Sequence, residues 1–113
     1  MYDKIYYPYP ATYKKNKYFI ITSQGKKLNF GQAGAEDYTT YYKEGKEFAN
    51  ERKLAYIERH QDKENWNDPN TKGYWAYRFL WSYPTKEQAY KKIKKDLLKK
   101  GIISKEQYNE YVF

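Results

Sequence analysis

Hydrophobic and polar residues in the first third of the chain follow the two-residue period of a β-hairpin. Residues 17–23 are β-branched and aromatic, a Gln-Gly pair supplies a turn, and residues 26–31 alternate polar with apolar positions. Leu28 and Phe30 share one face of the second strand, because side chains alternate across a strand. The sequence therefore predicts two paired strands, followed by a loop over 31–45.

Three later segments carry apolar residues at helical spacing. The first runs from about residue 46 to 61, and the second, which is aromatic on most sides, from about 74 to 83. The third covers 86–100 and repeats Ala89, Ile93 and Leu97 along one stripe, with lysines on its other faces. The stripe of the first helix is predicted to hold Phe48, Ala49, Tyr56, Ile57 and His60.

Capping signals mark the ends of the last helices. Thr85 with Gln88 forms a capping-box pattern at the start of the lysine-rich helix, and Gly101 stops that helix in a Schellman-type end. Ser104 with Gln107 repeats the capping-box pattern and opens a short final helix.

Aromatic residues supply the expected core. The mean hydropathy of −1.22 is typical of a disordered chain, but disordered chains are poor in aromatics, whereas this one has 16 Tyr, 5 Phe and 3 Trp. All three tryptophans lie within residues 64–81, where large rings bury the most apolar area. We predict an α+β fold in which a small N-terminal β-hairpin packs against three to four helices around an aromatic core.

Residues 1–16 differ from the rest of the chain. They contain five tyrosines and two prolines, and proline restricts the backbone to extended geometry. We interpret 1–16 as an extended Tyr/Pro-rich arm and 17–113 as a single α+β domain. The arm has two open interpretations, a segment that lies across a neighbouring subunit or a frayed terminus.

The net charge of +8 is concentrated at the two ends of the chain. Residues 1–30 have six lysines against one aspartate, and residues 86–113 have eight lysines against four acids. This distribution favours polyanionic partners or acidic protein surfaces. The alternative is a solvated lysine surface encoded by an AT-rich genome.

No residue pattern indicates catalysis, a cofactor or a metal. The chain lacks cysteine, and its one histidine, His60, excludes a multi-histidine metal site. The neighbouring acids Glu58, Asp62 and Glu64 alternate with basic residues, which is typical of a solvated helix end. We therefore expect a protein that is not an enzyme. Without a long apolar run or a signal peptide, we also expect it to be soluble, with no membrane partner.

Six short segments carry a resemblance to a known group of proteins. They are KLNFG at 27–31, EDYT at 36–39, ERKLAYIERH at 51–60, ENW at 64–66, TKGYW at 71–75 and LWSYPT at 80–85. Their order, over about residues 26–89, resembles a family of small uncharacterised proteins encoded by large double-stranded DNA viruses, including giant viruses and tailed phages. The resemblance implies a viral origin and transfers no catalytic residue.

The resemblance and the composition together suggest a minor or auxiliary capsid protein. Such a protein would lie in the virion, and in the host cytoplasm during assembly, bound to larger capsid subunits or other virion proteins. Tyrosine and phenylalanine provide contact area at low entropic cost. The expected partner-binding residues are Tyr2, Tyr6, Tyr7, Tyr9, Tyr13, Tyr108, Tyr111 and Phe113.

The alternative is a genome-associated protein that binds DNA without sequence specificity. Lysines of the third helix would neutralise phosphates, and aromatic rings would stack on bases. Only three arginines are present, and arginine makes most bidentate contacts with bases. The lysines expected to contact nucleic acid are Lys91, Lys92, Lys94, Lys95 and Lys99.

Overall fold

The predicted hairpin forms the larger part of a three-stranded antiparallel sheet. The computed structural model describes residues 2–113, with strands β1 (Tyr9–Pro10), β2 (Asn16–Ile21) and β3 (Lys27–Gln32) in the order β1-β2-β3. In β2 and β3, Tyr18 lies opposite Phe30 and Ile20 opposite Leu28. The α+β prediction is confirmed, and the sheet has one short strand more than the hairpin.

Helical segments follow the sheet and pack against it. They are α1 (Tyr38–Glu44), α2 (Lys46–His60), α3 (Lys72–Trp75), a π-helical turn (Ala76–Leu80), α4 (Lys86–Lys99) and α5 (Lys105–Glu110). The predicted positions of α2, α4 and α5 are confirmed. The single aromatic helix expected over 74–83 is wrong in form, because α3 is only one turn long and continues as the wider π-helical turn.

Helix α1 lies where a loop was predicted. Its N-cap is Asp37, whose side chain accepts a hydrogen bond from the backbone N–H of Thr39 (3.1 Å), while the Thr40 hydroxyl accepts from the Asp37 backbone N–H (3.0 Å). This reciprocal arrangement satisfies two amides at the helix start. The capping box of α1 has Thr40 at the position where Glu or Gln is usual, so the usual sequence motif did not indicate this helix.

The predicted aromatic core is confirmed. Tyr74, Trp75 and Phe79, which come from α3 and the π-helical turn, are fully buried between the sheet and α4. Their polar atoms have partners: the Tyr74 hydroxyl donates to Asp96 (2.7 Å), and the Trp75 indole N–H donates to the Pro69 carbonyl (2.8 Å). A chain of low mean hydropathy can therefore bury large rings without leaving their polar ends unpaired.

The ends of α4 match the capping prediction in part. Thr85 caps the helix by accepting from the Gln88 backbone N–H (3.2 Å), but of the two predicted capping boxes only that of Ser104 and Gln107 in α5 is fully reciprocal. Gly101 has φ +73°, and the Ile102 N–H donates to the Leu97 carbonyl (2.9 Å), which completes the Schellman end.

Helix α2 departs from its predicted stripe. Of the five residues expected along it, only Ala49 and Tyr56 are buried, and Phe48 is 44% exposed. Only one side of α2 packs against the rest of the protein, so its outer surface stays in solvent.

The N-terminal segment is built into the domain, so residue 16 does not mark a boundary in the fold. Tyr6 is 1% exposed, and its backbone N–H donates to the Ile21 carbonyl (2.8 Å). Its hydroxyl donates to Asn70 (2.7 Å), and the Tyr90 hydroxyl donates to the Tyr6 carbonyl (3.0 Å). These contacts hold Tyr6 at φ +50°, a conformation that costs about 1–2 kcal/mol for a side chain with a Cβ.

Candidate nucleic-acid interface

Two of the aromatic residues expected to bind a partner are buried within the chain. Tyr6 and Tyr111 both belong to the core, so their rings are not available to another protein in this conformation. The reason is physical: tyrosine has a large apolar ring, and a small domain gains more by burying that ring than by presenting it to solvent.

The other predicted aromatic residues lie at or near the surface. Tyr7, Tyr9, Tyr108 and Phe113 are half-buried, and Tyr2 and Tyr13 are exposed. The two chain ends meet, since the Tyr7 ring lies 6.0 Å from the Phe113 ring and the Tyr7 hydroxyl donates to the Val112 carbonyl (3.0 Å). The predicted residues at the two termini therefore stabilise one another.

Four of the five lysines predicted for nucleic acid lie on the outer face of α4. Lys91, Lys92, Lys95 and Lys99 are exposed, and none makes an ion pair within residues 2–113. Lys92, Lys95 and Lys99 follow one another at spacings of three and four residues, and Lys91 precedes Lys95 by four, so all four lie along one side of the helix. They are therefore available to an external anion.

Lys94 has a different role from the one predicted. Its ammonium group donates to the carbonyls of Tyr108 (2.9 Å) and Tyr111 (2.6 Å), and it lies 4.6 Å from the centre of the Tyr108 ring. Carbonyls at a helix C-terminus lack intrahelical partners, so Lys94 satisfies the end of α5. Burial, and then the charge of Lys91, lowers the pKa of Lys94.

Three of these lysines, Lys91, Lys92 and Lys95, line a groove formed by two adjoining hollows, of about 310 Å³ and 650 Å³, which share Tyr83 and Lys92. We call this surface the basic groove. The residues that line it are Lys53, Tyr77, Arg78, Ser82, Tyr83, Pro84, Gln88, Lys91, Lys92, Ile93, Lys94, Lys95 and Tyr108. Lys99 lies outside this lining, on the same side of α4.

The basic groove has no acidic lining residue, although the protein contains 14 acids. Lys53 and Arg78 also line the groove, and the sequence did not indicate either because they come from α2 and the π-helical turn. The charge of Arg78 is shared with Asp96, which lies 3.8 Å away. Lys53 donates to the Ser82 carbonyl (3.4 Å), and burial lowers its pKa. Arg78 donates to the Trp66 carbonyl (2.9 Å) and to Asn67 (3.1 Å).

Candidate catalytic residues do not come together. His60 stacks on Tyr56 with ring centres 4.3 Å apart, and its Nδ1 lies 3.3 Å from Glu64. The other carboxylate oxygen of Glu64 accepts from the Trp66 indole N–H (3.1 Å), which fixes Glu64 in place. Among residues 2–113, no three His, Asp or Glu side chains are arranged to hold a metal ion.

No protein-family model, curated protein or solved structure matches this chain. The resemblance to viral proteins therefore stays a prediction. Within residues 2–113, no helix has both the length and the apolar character needed to cross a membrane.

Proposed function

We propose that this protein binds single-stranded nucleic acid through the basic groove, without sequence specificity. The observation that supports this function is a groove lined by lysines and tyrosines and by no acid. Nonspecific single-strand binding uses this combination: a positive groove follows the phosphates, and aromatic rings stack on the bases.

The charges of the groove suit the phosphate backbone. Lys91, Lys92 and Lys95 of the groove, and Lys99 beyond it, make no ion pair within residues 2–113, so binding a strand does not require an existing ion pair to break. Each phosphate that is neutralised releases condensed counterions, and this release is the main source of nonspecific affinity.

The aromatic side chains of the groove favour a single strand over a duplex. Tyr83 and Tyr108 are half-buried and border the hollow next to Lys91 and Lys95. A base that stacks on such a ring gains about 1–3 kcal/mol, and only unpaired bases can reach it.

Specific base recognition is not expected. The one arginine of the groove, Arg78, is held by the Trp66 carbonyl and Asn67. The remaining cations of the groove are lysines, and the flexible lysine ammonium group lacks the rigid planar fork with which arginine binds in one fixed orientation.

The proposal is tested by titrating a fluorescent 12-nucleotide strand with the protein and with a Lys91→Gln/Lys92→Gln/Lys95→Gln variant. We expect the variant to bind at least about tenfold more weakly, because three phosphate contacts are lost. The matched control is Lys14→Gln/Lys15→Gln/Lys46→Gln, which removes the same charge from exposed lysines outside the groove. An equal loss in both variants would contradict the proposal, since it would mean that net charge alone attracts the strand.

A second candidate function is the minor virion component. Tyr2 and Tyr13 leave about half of their surfaces in solvent, and Val112 is the most exposed large apolar residue among residues 2–113. These side chains are available to a larger capsid subunit. Mass spectrometry of purified particles tests this role, and absence of the chain from the particles would defeat it.

A further inference from the structure

A second concave site lies away from the basic groove. It is a cleft of about 750 Å³ between α2, the loop that joins β3 to α1, and the π-helical turn, and it shares no lining residue with the groove. Its volume falls within the range of about 300–1,000 Å³ typical of small-molecule sites. Ala76 and Leu80 of the π-helical turn form part of its lining.

Two of the three acids that line the cleft are engaged by neighbouring side chains. Asp37 is buried and lies 3.0 Å from Lys17 and 3.5 Å from Lys86, and Glu64 is engaged by His60 and Trp66. Only Glu36, which is exposed at the edge of the cleft, has no ion-pair partner within residues 2–113.

Two guanidinium groups of α2 remain unpaired. Arg52 and Arg59 line the cleft, and neither makes an ion pair within residues 2–113. They lie seven residues apart on the helix, or about 10 Å along its axis, with Tyr56 between them. Arg52 is oriented by the Tyr41 ring, whose centre is 5.2 Å away. Guanidinium groups bind phosphate and carboxylate by paired hydrogen bonds.

Aromatic side chains form another wall of the same cleft. Tyr56 stacks on Trp81 with ring centres 4.7 Å apart and an interplanar angle of 13°. The Tyr41 ring lies 6.0 Å from Trp81 at 42°, so these two rings contact each other at an angle and do not stack face to face. A flat apolar ring has a surface to pack against here.

The Tyr56 hydroxyl adds a directed donor. Tyr56 lines the cleft and is only 6% exposed, yet its hydroxyl makes no hydrogen bond within residues 2–113 and keeps some contact with solvent. A largely buried tyrosine usually has a partner for its hydroxyl. Burial raises the pKa of this hydroxyl, so it stays a neutral donor.

We propose that the cleft binds a mononucleotide, with the phosphate on Arg52 and Arg59 and the base against Trp81 and Tyr41. The volume is far larger than one oxyanion requires, and the guanidinium groups and rings lie on the same cleft. This combination fits a phosphate ester that carries a planar heterocycle. The site is independent of strand binding in the basic groove, because no residue is common to both.

The experiment is a calorimetric titration of the full chain with AMP, adenosine, ribose 5-phosphate and inorganic phosphate. We expect AMP to bind with a dissociation constant below about 1 mM and the other three probes at least about tenfold more weakly. Equal binding of AMP and inorganic phosphate would contradict the role of the rings, and equal binding of AMP and adenosine would contradict the role of the arginines.

Variants separate the cleft from the groove. Arg52→Gln/Arg59→Gln is expected to weaken AMP binding by at least about tenfold, since hydrogen bonds to a charged group are lost. Lys91→Gln/Lys92→Gln is expected to leave it unchanged. Both arginines are exposed, so thermal unfolding should show an intact fold in each variant. Unchanged AMP binding by the arginine variant, or no AMP binding by the original protein, would overturn the proposal.

Discussion

Helices α2 and α4 have nearly the same length, 15 and 14 residues, and both are rich in charge, yet they have different roles in the fold. Helix α4 buries Ala89, Tyr90, Ile93 and Leu97 along one face. Helix α2 buries only Ala49 and Tyr56, and its N-cap, Gly45, makes no side-chain hydrogen bond. Two charged helices of similar length can therefore bury very different amounts of apolar surface. The amount depends on how many apolar residues lie on the face that packs against the rest of the protein.

The difference also separates the two proposed sites. The apolar face of α4 packs in the core, and lysines on its outer face line the basic groove. Helix α2 forms one wall of the cleft and is held through Tyr56, which stacks on Trp81, and through its packing against α1. A small number of side chains therefore fix the position of the cleft wall.

The largest predicted effect compares one leucine from each helix. Leu97→Ala in α4 should lower the free energy of unfolding by about 3–5 kcal/mol, because it removes a fully buried side chain and leaves a cavity. Leu54→Ala in α2 should change it by less than about 0.5 kcal/mol, because Leu54 is 60% exposed. Urea denaturation measures both, and a similar cost for the two variants would contradict the comparison.

The next effect concerns the ion cluster in which Asp37, at the start of α1, pairs with Lys17 of β2 and Lys86 of α4. The Asp37 side chain is 3% exposed and those of Lys17 and Lys86 are each 20% exposed. Asp37→Asn keeps a capping residue but leaves both lysines unpaired, and should cost about 2 kcal/mol, below the 3–5 kcal/mol of fully buried pairs. Glu36→Gln, at an exposed neighbouring position, is the matched control and should be neutral.

The same cluster predicts a pH dependence. Burial by itself raises the pKa of Asp37, but hydrogen bonds from Thr39 and Lys17 and the charges of Lys86 and Lys17 outweigh it and hold the pKa below the ordinary aspartate value. A carboxyl whose pKa is depressed by folding stabilises the fold above its unfolded pKa of about 3.9, and this contribution disappears as the pH falls through the folded pKa. The difference in free energy of unfolding between the original protein and Asp37→Asn should therefore become smaller as the pH falls. A difference that stays constant from pH 7 to pH 2 would refute this account.

A smaller effect distinguishes adjacent lysines of α4. Lys94→Gln should cost about 1–2 kcal/mol, because the carbonyls at the end of α5 lose a charged donor. Lys95→Gln should cost almost nothing, since Lys95 is exposed and unpaired. Thermal unfolding of the two variants measures this difference, and equal melting temperatures would contradict the capping role of Lys94.

The sequence predicted most of the fold, because its signals were local. The hairpin at Leu28 and Phe30 and the caps at Thr85 and Ser104 depend on residues close together in the chain. Helix α1 was missed because its capping box uses an uncommon partner. The burial of Tyr6 could not be predicted, since it depends on Asn70 and Tyr90, which are far along the chain.

The sites were less predictable than the fold. Helical spacing alone predicts which face of α4 is exposed. Four of the five lysines predicted to contact nucleic acid are exposed on that face. Lys94 was misjudged because its partners belong to another helix. The cleft was not predicted at all, because Asp37, Arg59 and Trp81 lie in three separate segments that only folding brings together.

The salt dependence of strand binding tests the central claim most directly. Four available lysines predict that the logarithm of the association constant falls with the logarithm of salt concentration with a slope of about −3 for a single strand. A variant with Lys91, Lys92, Lys95 and Lys99 all changed to glutamine should have a slope within about 1 of zero. A slope near zero for the original protein, or an unchanged slope in the variant, would contradict the claim that the outer face of α4 binds phosphates.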